Sequence, residues 1–423
     1  MKISFCPKVR DQGSILAFTL ILVAIMGLTL GSYLVLASGQ QGSVARSQRW
    51  NSAIDVAEAG IEEGLAQVNY SPNDFSANNW SVSGNQYSPP SQRSLVNGSY
   101  ALAVIGGSTP TIYATGYVGA PITGQIIQRT VRVTTQVLPL FNVALGAVGN
   151  INMNGNNMVT DSWNSESTNL SNGGQYTSSK VSTNGDVASE QGIVNIGNQK
   201  IDGNLYLGPT ATYTSGANQV LGTINKDYNV NFPDVTLPSS APSASSPTVL
   251  NTNGTVYNYL PLDNATYTVG NDNKPILVAA GHTNVTLIVT AQSFNPTAVV
   301  LLGGMTNPPT LTIYDFPPNP GGSVTLVGNG TGGASAARPV NFIFYGGPNL
   351  NSVTFGGTST FIGAIYAPEA VLSLNGGGNG NNIEGALIVK NATVNGHFDV
   401  HYDEALAKFG PAKGFVASSW QEL

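Results

Sequence analysis

The strongest hydrophobic pattern in the sequence is an apolar run near its amino end. From Ile15 to Ala37 there is no charged side chain. A helix of about 20 apolar residues crosses a bilayer core of about 30 Å, so the run predicts a membrane-spanning helix. A secretory signal peptide is the alternative, because basic residues precede the run. Its apolar core usually has only about 7 to 15 residues and a small-residue cleavage site, which favours the spanning helix.

A different pattern follows, in which apolar residues recur at spacings of three and four. They are Trp50, Ala53, Ile54, Ala57, Ile61, Leu65 and Val68. Charged residues occupy many of the positions between them, which is typical of an amphipathic helix. No proline interrupts residues 14–69. The two halves are therefore predicted to form one continuous helix of roughly 80 Å.

Beyond Asn69 the pattern indicates short β-strands. Runs of β-branched and aromatic residues, such as VNFIFYGG, alternate with Asn and Gly turn signals. Three runs between residues 70 and 138 alternate well enough for a small antiparallel sheet packed on the helix. Later runs are apolar at consecutive positions, which favours an irregular parallel β-helix-like body over a sandwich or barrel. The predicted fold class is α+β, mainly β.

Three features of the first 70 residues coincide: the leader KVRDQG, the long apolar helix, and the element AEAG at 57–60. Together they resemble the N-terminal region of type IV pilin-like proteins, specifically the PilX-type minor pilins. The resemblance covers about residues 8–70. It implies that a prepilin peptidase cuts after Gly13, so that the mature chain begins at Ser14. It also implies that the helix resides in membrane lipid before assembly and then contacts other pilins.

One position departs from that family's pattern. Major pilins carry a glutamate at the fifth mature position, where this chain has Phe18. A carboxylate in lipid is costly and is worth keeping only as a docking charge for a neighbour's N-terminal amine. Its absence fits a subunit at the filament tip and resembles the tip pseudopilin of type II secretion systems. PilX-type proteins commonly lack this glutamate as well.

Two groups of residues are candidates for helix packing. Gly27 and Gly31 have the GxxxG spacing that lets another helix approach closely, although glycines are also frequent in membrane helices without such a role. The second group is the AEAG element, which consists of Ala57, Glu58, Ala59 and Gly60.

The last quarter of the chain carries a second resemblance. Its segments GAIYAP, GGG, GALIVK and HYDEAL lie at 363–368, 376–378, 385–390 and 401–406. They resemble the β-rich C-terminal domain of unknown function often attached to PilX-type N-termini. The expected boundaries are 1–13 for the leader, 14–69 for the helix, 70–138 for a pilin-like β subdomain, 139–400 for the β-helix-like domain, and 401–423 for a C-terminal cap and tail. A Ser- and Pro-rich loop or tether is expected at 237–247.

Composition and charge bear on the function classes. Charged residues make up only 9% of the chain and the net charge is −6, so a nucleic-acid partner is not expected. No phosphate-binding loop or other cofactor motif occurs, and no cofactor is expected. Cys6 is the only cysteine and lies in the expected leader, so the mature chain would rely on packing without disulfides.

One motif near the carboxyl end combines imidazoles and carboxylates. In HFDVHYDE, the residues His397, Asp399, His401 and Asp403 alternate, so on a strand they project from one face. Such a set can ligate a divalent metal or shuttle protons. Alternatively, it caps the last coil by accepting backbone hydrogen bonds before a closing helical turn. Capping is the favoured interpretation, and neither metal ligands nor catalytic residues are assigned.

The favoured function is a minor pilin or pseudopilin subunit of a type IV pilus or related secretion filament. The resemblance implies a single pass through the bacterial inner membrane with a cytoplasmic amino end, and a place on the pilus or cell surface after assembly. The subunit would lie at or near the tip and display its β-rich body for assembly priming or adhesion. The first alternative is a surface adhesin that binds a surface or glycan. The second is a β-helical carbohydrate-active enzyme, which the sparse charges disfavour.

Overall fold

The computed structural model describes residues 12–70, 75–120, 124–155, 157–216, 218–228, 230, 232–327, 337–356, 360–410 and 412–423. For residues 12–14, 327, 376–381 and 412 it describes the backbone alone. The chain divides into two compact units: unit 1 is Met1–Val137 with Phe415–Leu423, and unit 2 is Leu138–Gly414.

Helix α1 spans Gln12–Tyr70. The first strands are β1 (Ser81–Ser83), β2 (Gln86–Ser88), β3 (Arg93–Leu95), β4 (Gly98–Ile105), β5 (Thr111–Gly119) and β6 (Ile126–Pro139). They are followed by β7 (Leu145–Ala147), β8 (Ile151–Met153), β9 (Val159–Trp163), β10 (Val187–Ser189), β11 (Ile193–Gly197), β12 (Lys200–Ile201), β13 (Leu205–Leu207), β14 (Thr212–Ser215), β15 (Ile224–Asn225), β16 (Thr248–Thr252), β17 (Thr255–Leu260), β18 (Thr266–Val269), β19 (Ile276–Val278), β20 (Val285–Val289), β21 (Ser293–Phe294), β22 (Val299–Leu301), β23 (Leu311–Asp315), β24 (Gly322–Val327), β25 (Phe342–Gly346), β26 (Leu350–Gly356), β27 (Phe361–Asp403) and β28 (Ala412–Glu422). Short 3-10 helices lie at Ala241–Ser243, Gly304–Thr306, Pro339–Asn341 and Glu404–Lys408.

Unit 1 is an antiparallel sheet with the second half of α1 packed on it. The strand order is β1-β2-β4-β5-β6-β28, and β3 pairs with β4. Burial alternates along β4 and β5, as expected of strands with one face against a core. Gly60 of α1 lies against Tyr100 and Ala114, and Gly64 lies against Leu102 and Ile112. The small helix residues thus let the larger sheet residues fill the space between the two layers.

The closest approach of helix and sheet occurs at Gly116 of β5. A Cβ atom at this position would clash with the carbonyl oxygen of Ala53 and lie 2.8 Å from the backbone nitrogen of Ala57. Ala53 and Ala57 are themselves completely buried. Three small residues therefore set how closely α1 approaches the sheet.

The C-terminal strand β28 completes the sheet of unit 1. The Leu423 backbone N–H donates to the carbonyl of Thr130 at 3.0 Å, and Arg129 forms an ion pair with Glu422. Towards the other end of the strand, Ser418 Oγ donates to the carbonyl of Thr134 at 3.0 Å, so β6 and β28 run antiparallel. Residues 401–423, expected to form only a cap and tail, thus contain a strand of unit 1. Along the chain, unit 2 is inserted between β6 and β28.

Unit 2 contains parallel strands stacked in register. One series of pairings runs β18–β20–β23–β25–β27, and another runs β27–β7–β10–β13–β15. The side chains on these strands form aliphatic ladders inside the unit. Leu387, Leu145, Val187 and Leu205 pair in succession and are fully buried. Burying each such side chain contributes roughly 2 kcal/mol, so the ladders hold successive coils together.

The order of the coils in space differs from their order in sequence. The chain starts at β7, builds through β10 and β13 to β15, and then continues to β18, from which the next series leads back through β27 to β7. The first and last coils are therefore neighbours. Leu387 pairs with Leu145, and Val400 pairs with Thr160.

The Ser- and Pro-rich segment at 237–247 is irregular but attached. Ser240 Oγ accepts a hydrogen bond from Thr266 Oγ1 at 2.8 Å, and Ser245 bridges to Tyr267. The residues just before it also pack on unit 2, since Val235 is buried and Tyr366 donates to the carbonyl of Pro233 at 2.7 Å. The segment therefore contacts other residues of unit 2 at both of its ends.

The predicted fold class is confirmed: a long N-terminal apolar helix precedes a mostly β structure with antiparallel and parallel sheets. The three runs expected to form the antiparallel sheet are β4, β5 and β6. The stacked parallel strands of unit 2 are of the kind that a β-helix-like body requires.

Candidate functional site

The first half of α1 is apolar and exposed. The side chains from Ile15 to Leu36 are all exposed, and large residues such as Phe18 and Leu28 are 65% and 72% exposed. Among the described residues, α1 is long and apolar enough to cross a membrane. An apolar surface of this extent is expected to be covered by lipid or by another protein.

The hydroxyl groups within this half are compatible with an apolar environment. Thr19 Oγ1 donates to the carbonyl of Leu16 at 2.9 Å, and Thr29 Oγ1 donates to that of Met26 at 2.9 Å. Ser32 Oγ likewise donates to the carbonyl of Leu28 at 2.8 Å. The hydroxyl hydrogens of these two threonines and this serine are therefore satisfied within the helix, as a bilayer interior requires.

The residues implied in processing lie at the beginning of α1. Gly13 and Ser14 belong to the helix backbone, whereas residues 1–11 of the expected leader lie outside the described residues. Phe18, the fifth residue after the implied cleavage site, is exposed on the apolar half.

The two groups of packing candidates occupy different environments. At Gly27 and Gly31 an added Cβ would meet nothing within 4 Å, so both glycines present open helix surface. Ala57 and Gly60 are instead buried against the sheet of unit 1, while Glu58 is exposed and Ala59 is half-buried. The spacing of Ala57 and Gly60 is thus explained by packing within this chain.

The alternating motif at the end of β27 lies beside β9. Asp399 Oδ1 accepts the backbone N–H of Val159 at 2.8 Å. Asp403 Oδ1 accepts those of Ser165 at 2.9 Å and Ala405 at 3.1 Å, the latter at the start of the 3-10 helix Glu404–Lys408. These two carboxylates satisfy backbone groups, which is the capping arrangement. Across the described part of the chain, no group of three or more His, Cys, Asp or Glu residues is placed to hold a metal ion.

The two histidines of the motif differ in their surroundings. His397 Nε2 lies 3.6 Å from Asp399 Oδ2. His401 is buried, and its Nδ1 lies 2.6 Å from Asp161 Oδ1. The ring of Tyr176 stacks on His401 at 3.7 Å, and the Tyr176 hydroxyl donates to Asp161 Oδ2 at 3.1 Å. The motif therefore splits between capping carboxylates and a buried His–Asp–Tyr cluster.

Burial also shifts the titration of carboxyl groups near this cluster. It raises the pKa of Glu384 to about 7, with His401 opposing the shift and Asp403 adding to it. Burial likewise raises the pKa of Asp403, although its backbone hydrogen bonds act in the opposite direction. Both carboxyl groups thus hold protons more tightly than they would in water.

The partners Asp161 and Tyr176 were not anticipated from the sequence. They precede His401 by more than 200 positions and belong to no local motif. Asp161 meets His401 because β9 stacks on the end of β27, with Asp161 directly opposite His401. Tyr176 follows β9 in the chain and contacts both residues. Because the two paired strands are far apart in the sequence, no short stretch of residues indicates that Asp161 contacts His401.

The chain is similar to one family profile and to one solved pilin structure. Residues 262–409, which include the segments at 363–406, match the profile of a domain of unknown function (DUF7305). No curated protein matches this chain. Among solved structures, the crystal structure of the competence-associated pilin ComZ from Thermus thermophilus is similar over 89% of this chain and 97% of that chain, with 11% identity and a TM-score of 0.33. At that TM-score the likeness does not establish a shared fold.

Proposed function

We propose that this chain is a pilin-like subunit of a type IV pilus or related secretion filament. One observation carries the proposal: a single helix joins an exposed, charge-free half to a half packed on an antiparallel sheet. A membrane anchor alone would not require the second half. A helix that must first reside in lipid and then pack among other helices, while carrying a folded head, requires both.

The proposed maturation follows from the sequence resemblance. The precursor spans the cytoplasmic membrane with its amino end inside, and a prepilin peptidase removes residues 1–13. The mature helix then leaves the bilayer and packs against the helices of other subunits. Lipid and neighbouring helices are both apolar surroundings. The apolar surface of the first half of α1 can therefore be buried in lipid before assembly and against other helices afterwards.

A position at or near the tip is part of the proposal. Phe18 stands where a docking glutamate would pair with the amine of a subunit ahead, and a tip subunit has no subunit ahead of it. The size of unit 2, Leu138–Gly414, also fits a tip, because a body this large on every subunit would crowd a closely spaced helical filament. Displayed there, unit 2 would prime assembly or contact a surface.

The test is to express the full chain in a bacterium that assembles type IV pili and to sequence the amino end of the filament-associated protein. We expect Ser14 as the first residue. Gly13→Asp should leave the precursor uncleaved and absent from sheared filaments, whereas the matched variant Gly119→Asp, in the exposed end of β5, should be processed normally. An intact initiator methionine on surface-exposed protein, or a cut within the apolar run, would contradict the proposal.

A further inference from the structure

Unit 1 contains a groove where α1 leaves its apolar half. Its volume is about 610 Å³, within the usual range for small-molecule sites. The lining residues include Gly39, Gly42, Arg46 and Trp50 of α1, with Ile126 and Gln128 of β6 opposite them. The groove is therefore apolar at one side and positively charged at another.

The groove begins at the level where the bilayer would end. If the apolar run Ile15–Ala37 spans the hydrocarbon core, Gly39 and Gly42 fall within the first 8 Å or so beyond it at about 1.5 Å per residue. The headgroup layer is about 5 to 8 Å thick on each side. At the same rise, Arg46 and Trp50 lie about 14 and 20 Å beyond the run. Helical side chains lean towards the amino end of their helix, so the long Arg46 side chain reaches back to the headgroup layer, and Trp50 lies on the outer side of that layer.

The charge of the groove comes from Arg46. This side chain is exposed and has no ion-pair partner among the described residues. The nearby Arg129 is already paired with Glu422. A guanidinium group binds phosphate through two parallel hydrogen bonds, so the free charge of Arg46 favours an anionic phosphate group.

Trp50 is held in position beside that charge. The guanidinium carbon of Arg129 lies 4.9 Å from the centre of the Trp50 ring, and Arg129 Nη1 donates to the Trp50 carbonyl at 3.3 Å. The indole nevertheless remains 46% exposed. Tryptophan is enriched at the membrane–water interface, where its ring contacts the headgroup level.

We propose that this groove binds the headgroup of an anionic phospholipid from the outer leaflet that surrounds α1 before assembly. Arg46 contacts the phosphate, Trp50 packs on the end of the headgroup that points away from the bilayer, and Ile126 covers the start of an acyl chain. The glycines at 39 and 42 leave the space for the headgroup. The inference rests on the proposed function only in placing a bilayer around Ile15–Ala37.

The test uses the full chain in nanodiscs that contain equal amounts of phosphatidylglycerol and phosphatidylcholine, with the lipids retained on the protein counted by native mass spectrometry. We expect enrichment of phosphatidylglycerol on the wild-type chain. Arg46→Gln should lower that enrichment about fivefold, which corresponds to the attraction of one basic side chain near an anionic surface. Trp50→Ala should lower it as well.

Arg49→Gln is the matched control, because Arg49 lies on the same helix but does not line the groove. We expect it to retain the wild-type enrichment. Equal losses in both arginine variants, or no enrichment on the wild-type chain inside the discs, would overturn the inference and leave the proposed function standing. Failure of the chain to enter the discs would overturn the proposed function and this inference with it.

Discussion

At the scale of single residues, two buried ionisable groups of unit 2, Asp315 and Lys413, contact no opposite charge among the residues that the structure describes. Both carboxylate oxygens of Asp315 are buried and have no hydrogen-bond partner within the described part of the chain, and burial raises the pKa of Asp315 to about 8. Lys413 donates to the Tyr228 hydroxyl at 2.8 Å and lies 4.1 Å from the centre of the Phe232 ring. Burial lowers the pKa of Lys413 to about 7, against the weaker attraction of Glu190. Each group favours its neutral form in the fold.

Asp315 should make the protein less stable as the pH rises. Its pKa in the fold, about 8, lies above the ordinary value of 3.8, so the unfolded chain loses this proton first. The loss in free energy of unfolding caused by this difference is absent below about pH 4, grows until about pH 8 and then stays constant. Asp315→Val removes it, and we expect the free energy of unfolding at pH 8 to rise by a few kcal/mol relative to wild type, at about 1.4 kcal/mol per pKa unit.

Urea denaturation of both proteins at pH 4.5 and pH 8 measures this difference. The exposed Asp234→Val serves as the control and should follow the wild type at both values. If Asp315→Val raises the free energy of unfolding by the same amount at both pH values, the Asp315 carboxyl group does not titrate as proposed.

Lys413 should act in the opposite direction at higher pH. Its pKa in the fold, about 7, lies below the ordinary value of 10.5, so the folded chain gives up this proton first. The resulting loss in free energy of unfolding has its full size below about pH 7 and disappears as the pH rises towards 10.5. Lys413→Met should therefore raise stability at pH 6 by a few kcal/mol, offset by about 1 kcal/mol for the lost hydrogen bond to Tyr228.

The comparison requires denaturation curves at pH 6 and pH 9.5. We expect the gain from Lys413→Met to shrink at the higher pH, and the exposed Lys408→Met to show no such trend. A gain that does not change with pH would argue for packing alone as its cause.

At the scale of elements, α1 serves two environments with one continuous backbone. Its second half is shaped to the sheet by small residues, whereas at Gly27 and Gly31 in its first half an added Cβ would meet no described atom within 4 Å. Glycine is therefore expected to affect packing on the sheet in the second half and contacts with other helices in the first half. Substitutions in each half test these two roles separately.

Gly116→Ala tests the contact between helix and sheet. The new methyl group would collide with the backbone of α1 at Ala53 and Ala57, and backbone moves less easily than a side chain. We expect a loss of about 1 to 3 kcal/mol, measured as a lower melting temperature of unit 1. Gly119→Ala on the same strand meets nothing within 4 Å and should melt like the wild type. Equal melting of both variants would refute the close approach.

The pair Gly27→Ile and Gly31→Ile tests the exposed half. Because an added Cβ meets nothing at either site, the isolated subunit should keep its stability and its insertion into membranes. If other helices pack closely here, the double variant should enter sheared filaments at least tenfold less than wild type. Thr29→Ile lies on the opposite side of the helix at 3.6 residues per turn and is the control. Normal incorporation of the double variant would exclude a packing role.

At the scale of the whole molecule, the chain order is that of one unit inserted into another. Unit 2 occupies the connection between β6 and β28, two neighbouring strands of unit 1. Unit 2 in turn has its first and last coils side by side, which brings the ends of the insertion close together. Insertions between such ends are tolerated, because the receiving fold needs only a short connection.

Replacing residues 140–411 with a short Gly/Ser linker should therefore leave unit 1 folded. We expect cooperative thermal unfolding, resistance to proteolysis, and continued entry into filaments if α1 alone directs docking. A second variant that also lacks residues 412–423 is the control. It loses the two hydrogen bonds between the Asn69 side chain and the Phe415 backbone, at 2.6 and 3.0 Å, and should unfold at lower temperature. Identical behaviour of the two variants would show that β28 is dispensable for unit 1.

Local sequence determined the kinds of element in this protein. The charge-free run from Ile15 to Ala37, the spacing of Ala53 and Ala57, and the alternation in β4 to β6 each specified a helix or strand without reference to the rest of the chain, since these patterns follow from the repeat of a single element. Tertiary structure alone decided the neighbours. Tertiary pairing of strands places β28 in unit 1, Asp161 beside His401, and Asp315 in a buried position. Stacking is set by the fit of whole surfaces far apart in sequence, and no short window of residues contains it.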